Sequence, residues 1–183
     1  MIAITKKAIF IERDGILTLP QVQNGHQITP TTMAQLKINH EAQPVMKQLK
    51  AAGFLLIATT NQPGLTDGSV SRLELERMHD LLQHCFQLDD ILVCPHGESD
   101  NCSCRKPQPG LFTEAAFKWG VNLEHSFVVS DKWQDARAAY SIGSFSLMLQ
   151  SPWVGKGHYD FVVPRLRDVV DKVLCLQMKP LAA

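Results

Sequence analysis

Residues 8–15 read AIFIERDG, an apolar run that leads directly into Glu12, Arg13 and Asp14. A continuous apolar run of this length is typical of a strand that is buried on both faces of a parallel sheet. We therefore predict a first strand, Lys7–Glu12, that ends on two carboxylates spaced one residue apart.

Beyond this stretch, apolar runs alternate with segments of helical periodicity. The further predicted strands are Phe54–Thr59, Asp90–Cys94, Ser126–Ser130, Ser144–Leu149 and Asp160–Val163. The predicted helices are Glu41–Ala52, Ser71–Phe86, Pro109–Trp119, Lys132–Ile142 and about Arg165–Gln177, and the irregular segments are Thr18–Asn39 and Pro95–Pro109. This alternation predicts a three-layer α/β/α, Rossmann-like sandwich with a parallel central sheet. The gaps after the first and third strands are too short for a large cap domain.

The length and composition predict one domain over residues 1–183, with a full core. The 18 basic and 18 acidic residues give a net charge of zero, which argues against binding to nucleic acid or a membrane surface through bulk charge. No apolar run approaches the roughly 20 residues needed to span a bilayer, and the N-terminus does not read as a signal peptide. We expect a soluble cytoplasmic protein that is a monomer or a small homo-oligomer.

Chemically useful side chains follow four of the predicted strands. They are Glu12, Asp14, Thr60, Asn61, Arg105, Lys106, Asp131 and Asp135. The carboxyl ends of parallel strands meet at one edge of the sheet, so these groups should lie together. Clustered carboxylates bind Mg²⁺, and a lysine with the metal neutralises a phosphoryl group. Each element alone also fits a solvated loop, a turn or a helix cap, but their arrival in order at four strand ends predicts phosphoryl-transfer chemistry.

The segments FIERDG, TTNQPGLTDG, CPHGESDNCSCRKPQPG and VVSDKWQDA together resemble the haloacid dehalogenase (HAD) superfamily of phosphatases. Within it, the chain is similar to the branch that contains D-glycero-D-manno-heptose 1,7-bisphosphate 7-phosphatase and the histidinol-phosphate phosphatase domain. The resemblance covers about Ala8 to Leu149. It implies a HAD-like fold and a Mg²⁺-dependent phosphatase that acts on a small phosphorylated metabolite such as a sugar phosphate.

The resemblance also implies roles for individual residues. Asp14 matches the general acid/base, and its backbone carbonyl faces the Mg²⁺. The other matches are Thr60 as the phosphate-binding hydroxyl, Lys106 as the charge-neutralising lysine, Asp131 as a Mg²⁺ ligand, Asp135 as a supporting acid, and Asn61 and Arg105 as residues near the substrate.

Glu12 falls on the family's nucleophile and Mg²⁺ ligand, which is ordinarily Asp. Its extra methylene moves the carboxylate by about the length of a C–C bond, and displacements of about 1 Å can cost on the order of a hundredfold in rate. Two hypotheses follow. Either the chain is an active phosphatase with a re-adapted site, or it is a catalytically impaired relative that binds a phosphorylated ligand or a protein partner.

Cys94, His96, Cys102 and Cys104 form the pattern C-x-H-x5-C-x-C in the cysteine loop, about residues 94–104. Three thiolates and one imidazole make a closed tetrahedral Zn²⁺ site, so we predict structural zinc that braces the chain segment carrying Arg105 and Lys106. The alternatives are a reduced, metal-free loop or a redox pair of Cys102 and Cys104.

Overall fold

The computed structural model describes residues 6–177 of the chain. Its strands are β1 (Ala8–Glu12), β2 (Gln21–Gln23), β3 (His26–Ile28), β4 (Leu55–Asn61), β5 (Asp90–Cys94), β6 (Phe127–Ser130), β7 (Phe145–Leu149) and β8 (Phe161–Val163). Its helices are α1 (Ala42–Ala51), α2 (Gly64–Asp67), α3 (Arg72–Phe86), α4 (Gly110–Trp119), α5 (Trp133–Ser141) and α6 (Asp168–Gln177). None of the helices within this range is long and apolar enough to cross a membrane.

Six strands form one parallel sheet in the order β5-β4-β1-β6-β7-β8. The chain builds outward from β1 to β4 and β5, and then returns to the other side of β1 with β6. This reversal makes the carboxyl end of β1 the topological switch point, where α/β sheets bind their ligands. The predicted α/β/α sandwich with a parallel sheet is confirmed, and all six predicted sheet strands are present.

Strand β1 is buried along its whole length, which explains its unbroken apolar run. Ile9 and Ile11 pack into the larger core cluster on one face of the sheet. Ala8 and Phe10 pack into the cluster on the other face, where the ring of Phe10 meets that of Phe112 edge-on at 5.1 Å. Helices therefore cover both faces of the strand.

The helix boundaries follow the sequence signals closely. The Ser71 hydroxyl accepts a hydrogen bond from the backbone N–H of Glu74 at 3.1 Å, which is the N-cap predicted for α3. Gly120 ends α4 in the left-handed region with φ of 68°, as a glycine after a helix is expected to do.

The prediction of an irregular segment over Thr18–Asn39 is wrong in part, since β2 and β3 form an antiparallel hairpin there. Its two-residue loop is Asn24-Gly25, with φ of 52° and 78°. Asn-Gly is the strongest short hairpin signal in a sequence, so this element was predictable. Between β1 and α1 the described chain therefore carries only this small hairpin, in agreement with the predicted lack of a large cap.

Candidate active site and metal centre

The four strand ends meet in space as the sequence predicts. Glu12 pairs with Thr59 across the sheet, at the ends of β1 and β4. The loop after β5 is fastened to the end of β4 by Asn61, whose amide accepts from the backbone N–H of Lys106 and donates to its carbonyl, both at 3.1 Å. This two-bond clamp delivers the Lys106 side chain to the end of β1.

The ammonium of Lys106 is buried and donates three hydrogen bonds. It donates to the carboxylate of Glu12, to Asp135 Oδ1 at 2.7 Å and to the carbonyl of Thr59 at 2.9 Å. Burial by itself would lower the pKa of Lys106, but the charges of Asp135 and Glu12 outweigh it and raise that pKa above its ordinary value. Lys106 is thus a fixed positive charge at the centre of the site.

Glu12 lies 4% exposed with both carboxylate oxygens engaged. One oxygen accepts from Lys106, while the other accepts from the backbone N–H of Asp14 at 3.2 Å and lies 3.5 Å from the ammonium of Lys132. Burial alone would raise the pKa of Glu12, but the charges of Lys106 and then Lys132 lower it to about 2. The carboxylate is therefore ionised at neutral pH, as a nucleophile or metal ligand must be.

Asp14 is held by a network on the other side of the loop. Arg13 donates to both of its carboxylate oxygens at 3.0 Å, and the arginine is itself fully buried. Its remaining nitrogen, Nη1, lies 3.0 Å from Nε2 of His79 on α3. Thr18 and Gln62 donate to the same carboxylate, each at 3.2 Å. The orientation of Asp14 is therefore fixed from several directions.

The side chain of Asp131 packs against Gly15, the residue that follows Asp14. A Cβ on Gly15 would lie 2.4 Å from Asp131 Oδ2, and the φ of Gly15 is 103°, so only glycine is accommodated there. Asp131 Oδ1 is buried and has no hydrogen-bond partner among the described residues. A buried carboxylate oxygen without a hydrogen bond is what an oxygen-binding cation would satisfy.

Lys132 follows Asp131 in the chain, and its side chain contacts the same group of oxygens. Its ammonium donates to the backbone carbonyl of Asp14 and lies 3.5 Å from both Glu12 Oε1 and Asp131 Oδ1. These three oxygens belong to the residues predicted to bind Mg²⁺. An all-oxygen set of two carboxylates and a carbonyl suits that ion, so the residues present fit the predicted metal.

Thr60 and Asp135 complete the set of predicted residues. Thr60 is fully buried, and its hydroxyl accepts from the amide of Gln62 at 2.7 Å. Asp135 is also fully buried and reaches the site through Lys106. Burial raises the pKa of Asp135 to about 6. Asp135 and Glu12 share the ammonium of Lys106.

The predicted zinc ligands converge at the end of β5. The ligand atoms of Cys94, His96, Cys102 and Cys104 all lie within 4.8 Å of one another, with individual spacings of 3.1–3.6 Å. A tetrahedron of thiolates around Zn²⁺ has edges of roughly 3.7 Å. The sulfur atoms of Cys94 and Cys104, 3.1 Å apart, are too distant for a disulfide. The four ligand atoms are therefore close enough together to bind one metal ion.

Arg105 leaves the cysteine loop toward an open cleft beside Lys106. Its guanidinium donates to the carbonyl of His96 at 2.9 Å and lies 4.0 Å from Glu98, so the loop fixes its position. The cleft has a volume of 290 Å³ and is also lined by Asn61 and by Trp133, whose side chain is 42% exposed. Lys106 lines this cleft, and Asp14 lines a second cleft on the other side of Trp133.

Sequence reasoning did not assign roles to Arg13, Gln62 or Lys132, although all three bond to predicted site residues. For Arg13 and Lys132, position beside Asp14 and Asp131 was the available signal. For Gln62 the signal was weaker, since a polar residue after a strand is common in loops.

Comparison with known proteins gives a consistent result. The haloacid dehalogenase-like hydrolase family matches residues 19–143. D-glycero-beta-D-manno-heptose-1,7-bisphosphate 7-phosphatase of Helicobacter pylori is 32% identical over 156 residues, which cover 81% of this chain and 87% of that protein. The histidine biosynthesis bifunctional protein HisB of Campylobacter jejuni is 33% identical over 144 residues, or 76% of this chain. The aligned part makes up only 40% of that longer protein.

Among solved structures, the D,D-heptose 1,7-bisphosphate phosphatase from B. bronchiseptica, complexed with magnesium and phosphate, superposes with a TM-score of 0.81 at 25% identity. The match covers 93% of this chain and 99% of that one. Fold and sequence agree, and the chain belongs to the haloacid dehalogenase-like hydrolase family.

Proposed function

We propose that the chain is a Mg²⁺-dependent phosphomonoester hydrolase whose substrate is a small sugar phosphate. The observation that carries this proposal is the state of Glu12. Its carboxylate is buried and ionised at the end of β1, between the ammonium groups of Lys106 and Lys132. The names of the heptose bisphosphate phosphatases that resemble this chain support the substrate class.

In the proposed reaction, Glu12 attacks phosphorus, and the bond from phosphorus to the sugar oxygen breaks. Asp14 donates a proton to the departing oxygen, which leaves as an alcohol. Water then attacks the phosphorus of the acyl phosphate, Asp14 takes its proton, and inorganic phosphate departs with the Glu12 carboxylate restored. Thr60 hydrogen-bonds a phosphoryl oxygen and Lys106 neutralises its charge.

The proposed Mg²⁺ ligands are the carboxylates of Glu12 and Asp131 and the backbone carbonyl of Asp14. When bound, the ion supplies positive charge beside the phosphoryl oxygens. Asp135 supports the site by holding Lys106. The zinc ligands Cys94, His96, Cys102 and Cys104 would brace the loop that carries Arg105 and Lys106. Asn61, at the end of β4, fastens the same loop through its two hydrogen bonds with Lys106.

The test is phosphate release by the purified chain, with and without Mg²⁺, over a panel of a heptose bisphosphate, hexose phosphates, histidinol phosphate and an aryl phosphate. We expect Mg²⁺-dependent turnover, fastest with a sugar phosphate and lost in Asp14→Asn. Turnover of histidinol phosphate alone would contradict the proposed substrate class, and turnover independent of Mg²⁺ would contradict the metal site. That residues 1–183 form one domain, as a monomer or small homo-oligomer, stays a prediction.

A further inference from the structure

We infer that the ammonium of Lys132 occupies the cation position of the site when Mg²⁺ is not bound, and that Mg²⁺ must displace it. The inference rests on the magnesium site of the proposed function. It concerns a side chain that the assigned roles leave unused, and it predicts how readily the site accepts its metal.

The geometry places Lys132 at the meeting point of the three oxygens proposed as metal ligands. Its ammonium donates to the carbonyl of Asp14 and lies 3.5 Å from one oxygen of Glu12 and 3.5 Å from one oxygen of Asp131. Among the described residues, Lys132 is the only lysine whose ammonium contacts all three of these residues. A single positive charge therefore stands where the three donors converge.

Charge explains why the lysine is drawn in. Glu12 and Asp131 are buried, at 4% and 2% exposed, and two carboxylates so close repel each other unless a cation lies between them. Lys106 contacts Glu12 but is shared with Asp135, so it leaves Asp131 without a counter-charge. Lys132 provides it. An ammonium and a divalent ion cannot share the position, because they repel and compete for the same oxygens.

The structure also has space for the Lys132 side chain after displacement. This side chain is 23% exposed and borders a second cleft of 430 Å³, on the side of the β2–β3 hairpin. Gln27 lines that cleft, and the amide atoms of Gln27 are buried without hydrogen-bond partners among the described residues. Because Lys132 already borders this cleft, the cleft gives the displaced ammonium a path to solvent.

The first test measures Mg²⁺ binding by titration calorimetry in the native chain and in Lys132→Met, which keeps the apolar stem and removes the charge. Lys50→Met is the matched control, because Lys50 forms an ion pair with Asp89 away from the site. We expect Lys132→Met to bind Mg²⁺ at least about tenfold more tightly than the native chain, a gain of about 1.4 kcal/mol. Lys50→Met should bind as the native chain does. Equal or weaker binding by a folded Lys132→Met would overturn the inference.

The second test uses the native chain and does not depend on the variant folding. An amine-acylating reagent is applied with and without saturating Mg²⁺, and the modified lysines are mapped by mass spectrometry. Lys132 should react faster with Mg²⁺ present, while the rate at Lys50 should not change. An unchanged rate at Lys132 would contradict displacement. Neither test requires turnover, so failure of the phosphatase proposal and failure of this inference can be told apart.

Discussion

Glu12 and Lys106, 94 residues apart in the chain, form a buried ion pair at the carboxyl end of β1. Their side chains are 4% and 2% exposed. The same ammonium also binds Asp135, so one positive charge holds two buried carboxylates in place. This relationship makes Glu12 a fixed, ionised group, which is the property that the proposed chemistry needs.

Replacing Lys106 with Met should destabilise the fold by about 3–5 kcal/mol, because it leaves two buried carboxylates without their partner. Urea unfolding at pH 7 measures this loss. Lys50→Met is the control, since its partly exposed pair with Asp89 should cost no more than about 1 kcal/mol. If the two substitutions lower the free energy of unfolding equally, the buried ion pairs of Lys106 contribute no more to stability than the partly exposed pair of Lys50.

Gly15→Ala should remove Mg²⁺ binding and lower stability by about 1–3 kcal/mol. The new methyl group would lie 2.4 Å from Asp131 Oδ2, on a backbone with φ of 103°. Gly68→Ala is a close control, because Gly68 also has a positive φ, 80°, but a methyl group added there would have nothing within 4 Å. Calorimetric Mg²⁺ titration should therefore separate the two variants. If both bind Mg²⁺ like the native chain, the close approach of Gly15 to Asp131 has no role in the site.

His79 should make the stability of the fold depend on pH. Burial, and then the charge of Arg13, lower the pKa of His79 from 6.5 to about 4. Because the unfolded chain binds the proton more readily, this contribution to stability is complete above pH 6.5 and is lost as the pH falls toward 4. The loss amounts to at most about 3 kcal/mol.

The measurement is urea unfolding between pH 7 and pH 4 for the native chain and His79→Gln. The native chain should lose more stability over this range, while His125→Gln, at an exposed histidine, should behave as the native chain does. Parallel curves for native and His79→Gln would contradict the account of the Arg13–His79 contact.

Zinc should bind the chain tightly in a one-to-one ratio through the four ligands of the cysteine loop. Cys104→Ser should lower zinc affinity and make the loop easier to cleave by protease, because the ligand set becomes incomplete. Metal analysis and limited proteolysis measure these effects, with Cys175→Ser at an exposed cysteine as the control. A native chain that retains no zinc after purification in zinc-containing buffer would support the metal-free alternative.

The sequence predicted the main strands and the position of the candidate site residues at the strand ends because both leave local signals. The apolar run of β1 and the acids that follow it are read directly from the chain. Those signals placed Glu12, Lys106 and Asp131 at one edge of the sheet, as the structure confirms.

Other features depend on contacts between distant segments and could not be predicted. The burial of Arg13 requires His79, 66 residues away, and the inward turn of Lys132 requires the carbonyl of Asp14, 118 residues away. A charged residue in a loop ordinarily points to solvent, so composition alone gives no reason to bury either one. The β2–β3 hairpin is different, since its Asn24-Gly25 turn was present in the sequence and could have been recognised.

The most direct test of the central claim compares Mg²⁺-dependent phosphate release by the native chain, Glu12→Asp and Glu12→Gln on one sugar phosphate. If Glu12 is the working nucleophile, the native chain should turn over, Glu12→Gln should lose nearly all activity, and Glu12→Asp should be faster by up to about a hundredfold because it restores the shorter reach. A native chain no faster than Glu12→Gln, with turnover appearing only in Glu12→Asp, would contradict the claim. That result would instead identify a catalytically impaired member of the family.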